Sequence, residues 1–407
     1  DSKGNRYLDG MAGLWCVNVG YGREELAQAS YDQMKKMSYF PLTHSHEPAI
    51  QLAEKLNDWL GDDYVIFFSN SGSEANETAF KIARQYHRQN GNHDRFKFIS
   101  RYRAYHGSSM GALAATGQAQ RKYLYEPLVP GFLHVAPPDC YRSEFNSDDG
   151  SCCTQSAKEI EKVINFEMKE TIAGVIMEPM ITGGGVFIPH DHYLQKVREI
   201  CDQTGTLLIV DEVINGFGRT GKPFGFMHAN IKPDIITMAK GITSAYLPLS
   251  ATAVRKDIFE AFKGADEYDV FRHVNTYGGS PAACAVALKN LEIMEKENLI
   301  ERSRVLGEQL YDALKDLYEH PNVGDIRSRG LLLGIELVED KNSKLPLQSE
   351  KVDHVIASCK QSGLIIGKNG YTVEGYNNIL TLSPPLSITD DDLEFIIKTL
   401  KESILQM

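Results

Sequence analysis

Short apolar runs of strand length alternate with amphipathic stretches through the middle of this chain, and that rhythm leaves few folds open. The runs are Tyr64–Ser69, Phe96–Ile99, Ile172–Met177, Leu207–Val210, Ile235–Met238 and Leu249–Val254. Helical patterns lie between several of them. Ala75, Ala79, Ile82, Ala83 and Tyr86 make a stripe of helical period, and Ala157–Met168 and Tyr193–Gln203 read as helices too. Such alternation predicts an α/β fold, a mainly parallel sheet with helices on both faces. Ligands in such sheets gather at the carboxyl edge of the strands. The ends of the chain differ. Short strands and a helix occupy residues 1–38. After residue 297 come Ile300–Tyr318, a Gly330–Leu337 strand, a helix from Glu350 and a last helix from Asp390. These predict a smaller α+β domain from both termini (1–38 with 297–407) beside a large domain of 39–296. Pro281–Asn298 reads as an amphipathic helix joining the two. Ser143–Ser156 reads as a polar surface loop.

Bulk properties narrow the function. The 407 residues are 42% hydrophobic and 24% charged, an ordinary globular composition. A net charge of −11 argues against nucleic acid or an anionic membrane as partner. No apolar run nears the roughly 20 residues of a bilayer span. No signal peptide is visible, although the opening Asp1–Gly10 reads as structure already under way, so a preceding segment is expected. Seven cysteines lie scattered without metal-ligand spacing, and Cys152 and Cys153 are adjacent and do not easily bridge each other. The expectation is reduced thiols, a cytoplasmic location and no metal. His44 and His46 hint at a metal, but no further ligand cluster supports them. The glycine-rich stretches do not follow the dinucleotide-binding spacing.

Two residues carry the chemistry. Asp211 closes the run Leu207–Val210. Lys240 follows Ile236–Ala239, 29 residues on. Each is offered at a strand's carboxyl edge. A lysine there can hold an aldehyde cofactor as a Schiff base, and an aspartate can keep that cofactor's ring nitrogen protonated, the two groups pyridoxal phosphate most needs. Burial of Lys240 would lower its pKa and free the amine.

Other motifs accompany them. Ser69–Ala79 leads from a strand into a helix, with Ser71 and Glu74 spaced as a capping box. Its amides and helix dipole would face a phosphate; taken alone, it is equally a capped helix. Tyr105, before His106 and Gly107, can lie on a flat ring, or simply pack on the surface. Val213, two residues beyond Asp211, points to the same side of an extended chain and can support the ring's other face.

With these motifs in order, the chain resembles the class III aminotransferases of the pyridoxal-phosphate superfamily. The matching segments are Ser-Gly-Ser-Glu-Ala, Tyr-His-Gly, Ile-Met-Glu-Pro, Asp-Glu-Val with Gly-Phe-Gly-Arg-Thr-Gly, Met-Ala-Lys-Gly and Thr276-Tyr-Gly-Gly-Ser-Pro. The resemblance covers nearly the whole chain. The resemblance implies the fold-type I architecture, with a seven-stranded type of sheet. It implies Lys240 as Schiff-base lysine and proton shuttle, Asp211 on the pyridine nitrogen, and Tyr105 and Val213 on the ring faces. Ser71, Gly72 and Ser73 would bind the phosphate, with His106 and Glu178 close to the cofactor. Thr276 would reach the phosphate of a neighbouring subunit, so a homodimer or dimer of dimers is expected. Trp15, after Leu14, would line the substrate pocket.

One departure is visible. Many family members hold the substrate carboxylate with a small-domain arginine; here Gly367 takes its place, and no arginine follows Arg329. The glutamate that pairs with that arginine in ornithine- and 4-aminobutyrate-type members is also missing after Glu178-Pro. Lys368, as a point charge rather than a fork, or an amide-rich loop is therefore expected to meet the acid group. The segment Gly13–Gly22 is similar to taurine–pyruvate and other omega-amino-acid–pyruvate enzymes. The expected reaction moves an amino group from an omega-amine to a keto acid such as pyruvate. The alternatives are the adenosylmethionine–8-amino-7-oxononanoate reaction of biotin synthesis and a catalytically inactive binding module.

Overall fold

The computed structural model describes residues 1–143, 151–370 and 372–407. Among them a seven-stranded sheet runs in the spatial order Tyr64–Ser69, Ser250–Arg255, Ile235–Met238, Leu207–Asp211, Ile172–Met177, Lys97–Arg101, Phe132–Val135. Ile172–Met177, Leu207–Asp211 and Ile235–Met238 are buried along their whole length. That is the signature of strands covered on both faces. On one face lies the helix Gly72–Gln89, whose Ala75, Ala79 and Ala83 let it sit close to the sheet. Ser151–Phe166 and His192–Thr204 pack together on the other.

The sheet is mainly parallel, as expected, and two of its strands add detail. Ser250–Arg255 runs antiparallel to both its neighbours. The eleven residues between Met238 and Ser250 hold one short 3-10 turn, Lys240–Ile242, and no α-helix. A parallel return needs a crossover of about a dozen residues or more, usually with a helix. Phe132–Val135, an edge strand, was not among the expected runs. It is short, mostly half-buried and follows Pro130-Gly131, so it carries no continuous apolar signal.

A second sheet is built from the later part of the chain. Val323–Arg329, Leu332–Leu337, Ile379–Leu382 and Gly367–Lys368 form an antiparallel sheet. Leu8–Asp9 pairs in parallel with Leu364–Ile365, stitching the first residues into the last lobe. The helix Asp390–Leu405 begins with a capping box between Thr389 and Asp392. Pro281–Lys296 packs against both Glu24–Lys36 and Glu47–Leu60.

Two expectations are corrected near Ser143–Ser156. Its end is helical from Ser151, and residues 144–150 lie outside the described residues. Cys140 and Cys152 form a disulfide, where reduced thiols were expected. The adjacency of Cys152 and Cys153 excludes only a bridge between those two. The chain after Phe132–Val135 returns to the first turn of Ser151–Phe166 and supplies Cys140 as partner. Among the described residues no helix is long and apolar enough to cross a membrane.

Arg219 joins parts distant in sequence. It is fully buried. Nη2 donates to Asn18 Oδ1 at 2.8 Å, and Nη1 donates to the Leu331 carbonyl at 3.3 Å and to that of Pro384. Burial pulls its pKa down to about 9. Replacing it by Met strands three buried acceptors. Arg219→Met is expected to destabilise the fold by about 3 kcal/mol or more, read as a lower urea midpoint. Arg219→Lys should recover only part, because an ammonium cannot reproduce the planar fork.

Two histidines make stability depend on pH. Burial, reinforced by Lys122 for His134 and by Arg329 for His228, pushes each down to about 4. The unfolded chain takes up those protons near the ordinary value of about 6.5. Stability is therefore full above about 6.5 and falls as pH drops toward about 4. Thermal unfolding should show a loss of about 1 kcal/mol per histidine between about pH 7 and 5, solvent screening included. His134→Gln with His228→Gln should flatten that slope.

Candidate active site

Sheet register brings the two key residues together. Asp211 ends its strand opposite Thr237 of the neighbouring strand. Lys240 lies just past that neighbour, in the left-handed region at φ 47°. Both line a cavity of about 150 Å³ with Gly72, Ser73, Asn76, Tyr105, His106, Gly107, Glu178, Val213, Ile214 and Ala239. Most of the residues singled out in the sequence thus meet in one place.

Asp211 is held from three directions. Its Oδ2 accepts from Asn76 Nδ2 at 2.9 Å and lies 2.9 Å from His106 Nδ1; its Oδ1 accepts from the Val213 amide at 3.1 Å. Asn76 is itself fixed: its Nδ2 also donates to the His106 carbonyl, and its Oδ1 accepts from Thr237 Oγ1 at 2.8 Å. With Nδ1 donating to the carboxylate, His106 Nε2 carries the lone pair. That nitrogen is buried and meets no partner among the described residues. Sequence reasoning missed Asn76 and Thr237. The available signal was an asparagine beside Ala75, on the face of the helix that carries the alanine stripe.

The amine is tuned as expected. Burial lowers the Lys240 pKa below the ordinary lysine value, opposed by the charges of Asp211, Cys16 and Glu178. Burial raises that of Glu178. The Glu178 carboxylate accepts from the Tyr105 amide at 3.1 Å and from Thr182 at its amide, 3.0 Å, and its hydroxyl, 2.8 Å. Glu178 therefore sets the backbone that presents Tyr105.

The helix start is built for close approach. Ser71 caps Gly72–Gln89 by accepting from the Glu74 amide at 3.3 Å. In the reciprocal bond Glu74 Oε2 accepts from the Asn70 amide at 2.7 Å, one residue earlier than a capping box requires. A Cβ on Gly72 would sit 3.1 Å from a Val213 methyl, and one on Gly107, at φ 138°, would sit 2.4 Å from Ser73 Oγ. Both glycines keep the helix start and the Val213 wall in register.

Four expected residues stand apart from this cavity. Ser71 is exposed at the cap. Thr276 lines a different cavity of about 460 Å³, with Tyr39, Leu42, Phe68 and Val274. Trp15 packs among Met11, Met180, Val186 and Leu332, a layer behind Ile214, while Leu14 is exposed. Lys368 forms an ion pair with Asp353, so its charge is engaged within the small lobe. At Gly367 a Cβ would meet Met11 Cε and Thr381 Oγ1, both at 2.8 Å. A side chain there would have to displace the end of Met11 and turn Thr381.

The donor set fits pyridoxal phosphate. It offers an amine of lowered pKa, a clamped buried carboxylate, a buried imidazole nitrogen still without a partner, and the amino end of an 18-residue helix beside them.

Comparison with known proteins agrees. A family model described as Aminotransferase class-III matches residues 1–404. An uncharacterized aminotransferase, YhxA, of Bacillus subtilis is 68% identical, covering 99% of this chain and 89% of that protein. A taurine–pyruvate aminotransferase of Bilophila wadsworthia is 42% identical, covering 98% and 88%. The crystal structure of a Bacillus anthracis aminotransferase, 62% identical, matches with a TM-score of 0.97 over 100% of this chain and 91% of that one. The chain belongs to the class III aminotransferases, enzymes of fold type I that work with pyridoxal phosphate.

Proposed function

We propose that this enzyme moves an amino group from an omega-amine or omega-amino acid, such as taurine or β-alanine, to pyruvate by a ping-pong mechanism. One observation carries the choice of donor. The amine chemistry is complete around Lys240 and Asp211, yet a glycine stands at 367 with Met11 filling the space beside it, and no arginine follows Arg329. A site without that fork loses its bidentate preference for a carboxylate, so a sulfonate is admitted on more equal terms. The name of the Bilophila wadsworthia relative supports the same donor class.

The chain's own groups divide the work. Bound pyridoxal phosphate supplies an electron sink for charge at the substrate carbon. Asp211, clamped by Asn76 and His106, would keep the ring nitrogen protonated. Val213 and Tyr105 would flank the ring, and the amides of Gly72 and Ser73, with Ser71, would hold the phosphate. Lys240, neutral over more of the pH range than an ordinary lysine, would take a proton from the substrate carbon and return it to the cofactor side. Thr276 would complete the phosphate site of a second copy, which suits its place in a separate cavity. We assign residues 39–296 to the large domain and 1–38 with 297–407 to the small one. A cytoplasmic location accords with the buried thiols Cys201, Cys284 and Cys359, which stand outside the disulfide.

Cofactor-loaded enzyme offered single amines tests the donor. Taurine and β-alanine should bleach the visible absorption of the lysine-bound cofactor, and pyruvate should restore it. Adenosylmethionine should do neither. If no amine bleaches it, the aminotransferase reading of this site is wrong; if adenosylmethionine alone does, the donor assignment is wrong. Lys240→Ala should lose that absorption, with turnover falling by about 10³ or more.

Mixed dimers test Thr276. Thr276→Ala should lower activity by weakening cofactor retention. Combining Lys240→Ala chains with Thr276→Ala chains should restore activity above either parent, because one of the two sites then has both residues intact. No recovery would place Thr276 in the site of its own chain.

A further inference from the structure

The fold gathers three cysteines that the sequence scatters. Cys140 Sγ, bonded to Cys152, lies 3.3 Å from Cys153 Sγ, and Cys152 Sγ lies 3.9 Å from it. Cys152 and Cys153 are buried in the first turn of Ser151–Phe166, while Cys140 faces solvent and provides an entrance. Among the described residues this is the one group of histidine, cysteine or acidic side chains close enough to share an ion. None of it belongs to the amine chemistry.

The surroundings suit negative charge. Cys153 Sγ accepts from the His190 amide at 3.4 Å. Arg101 is fully buried, and its Nε and Nη1 have no partner among the described residues. Burial raises the Cys153 pKa, while the His190 amide and the Arg101 charge act against that rise. Metal coordination deprotonates a thiol outright, so that rise is no barrier to a ligand thiolate.

We propose that Cys140, Cys152 and Cys153, once reduced, bind one soft metal ion of the copper(I) type as a thiolate site, the Cys140–Cys152 disulfide being its oxidised, metal-free form. Metal–sulfur distances of about 2.3 Å place three sulfurs roughly 4 Å apart around one ion. The separations from Cys153 already approach that value. Soft thiolates suit copper(I), zinc and iron–sulfur clusters, so ligand number decides among them. A closed structural zinc site takes four protein ligands, and among the described residues this group stops at three. Opening the disulfide takes two electrons and two protons. A phosphine with water supplies them and becomes the phosphine oxide. The ion then displaces the thiol protons.

The test uses cofactor-loaded enzyme, reduced with a phosphine under argon and titrated with copper(I) against bicinchoninate. One equivalent should bind per chain, and it should protect Cys140, Cys152 and Cys153 from alkylation, read by mass spectrometry. The oxidised enzyme should bind at least tenfold more weakly. Cys140→Ser, at an exposed position that leaves the core intact, should also weaken binding at least tenfold. Overturning results are no transfer of copper from bicinchoninate to the reduced enzyme, affinity unchanged in Cys140→Ser and in the oxidised enzyme, or protection confined to Cys16.

Discussion

A guanidinium with no access to water holds three parts of this chain together. Arg219 reaches Asn18 from the first residues, Leu331 from the small-lobe sheet and Pro384 from beyond its last strand. Such a cation is tolerable only because its acceptors are fixed. Asn18 then donates to the Phe217 carbonyl, and its amide packs against Gly241, directly after Lys240. Gly241 has no Cβ, and one built there would lie 2.6 Å from Asn18 Nδ2. Asn290 accepts from Ser244 Oγ and donates to the Gly241 and Ile242 carbonyls, closing the turn from behind. The reactive amine thus rests on a buried polar joint between the two ends of the chain.

On the other side of the cavity, precision comes from the sheet. Asp211 and Thr237 are register partners, and Asn76 touches both. The carboxylate is therefore positioned by two adjacent strands and the helix laid over them, all buried. Rigid elements of this kind hold a reacting group better than loops do. Trp15 and Lys368, the residues expected from the sequence to meet the substrate, sit elsewhere, behind Ile214 and in the small lobe.

The central strands were legible because burial on both faces leaves unbroken apolar runs, as in Ile172–Met177. Lys240 and Asp211 stood out because each ends such a run. Phe132–Val135 was not legible, since an edge strand needs no such run. The antiparallel turn of Ser250–Arg255 was encoded only in the shortness of its connection. Asn76 hid within a helical stripe, where one polar residue among alanines reads as an ordinary variation. The Cys140–Cys152 pairing depended on how a loop returns, which periodicity does not report. Lys368 was a reasonable substitute for a missing arginine, but charge alone does not place a side chain, and Asp353 on the helix Ser349–Gln361 claims it.

Gly367 bears on the history open to this enzyme. Met11 fills the space beside it, and Met11 also belongs to the cluster around Trp15. A side chain gained at that position would displace the end of the Met11 thioether and turn Thr381, side-chain atoms that can move. The change would then pass through Met11 to the packing of Trp15. A new charge at 367 and a new shape around Trp15 would arrive together, from a single substitution.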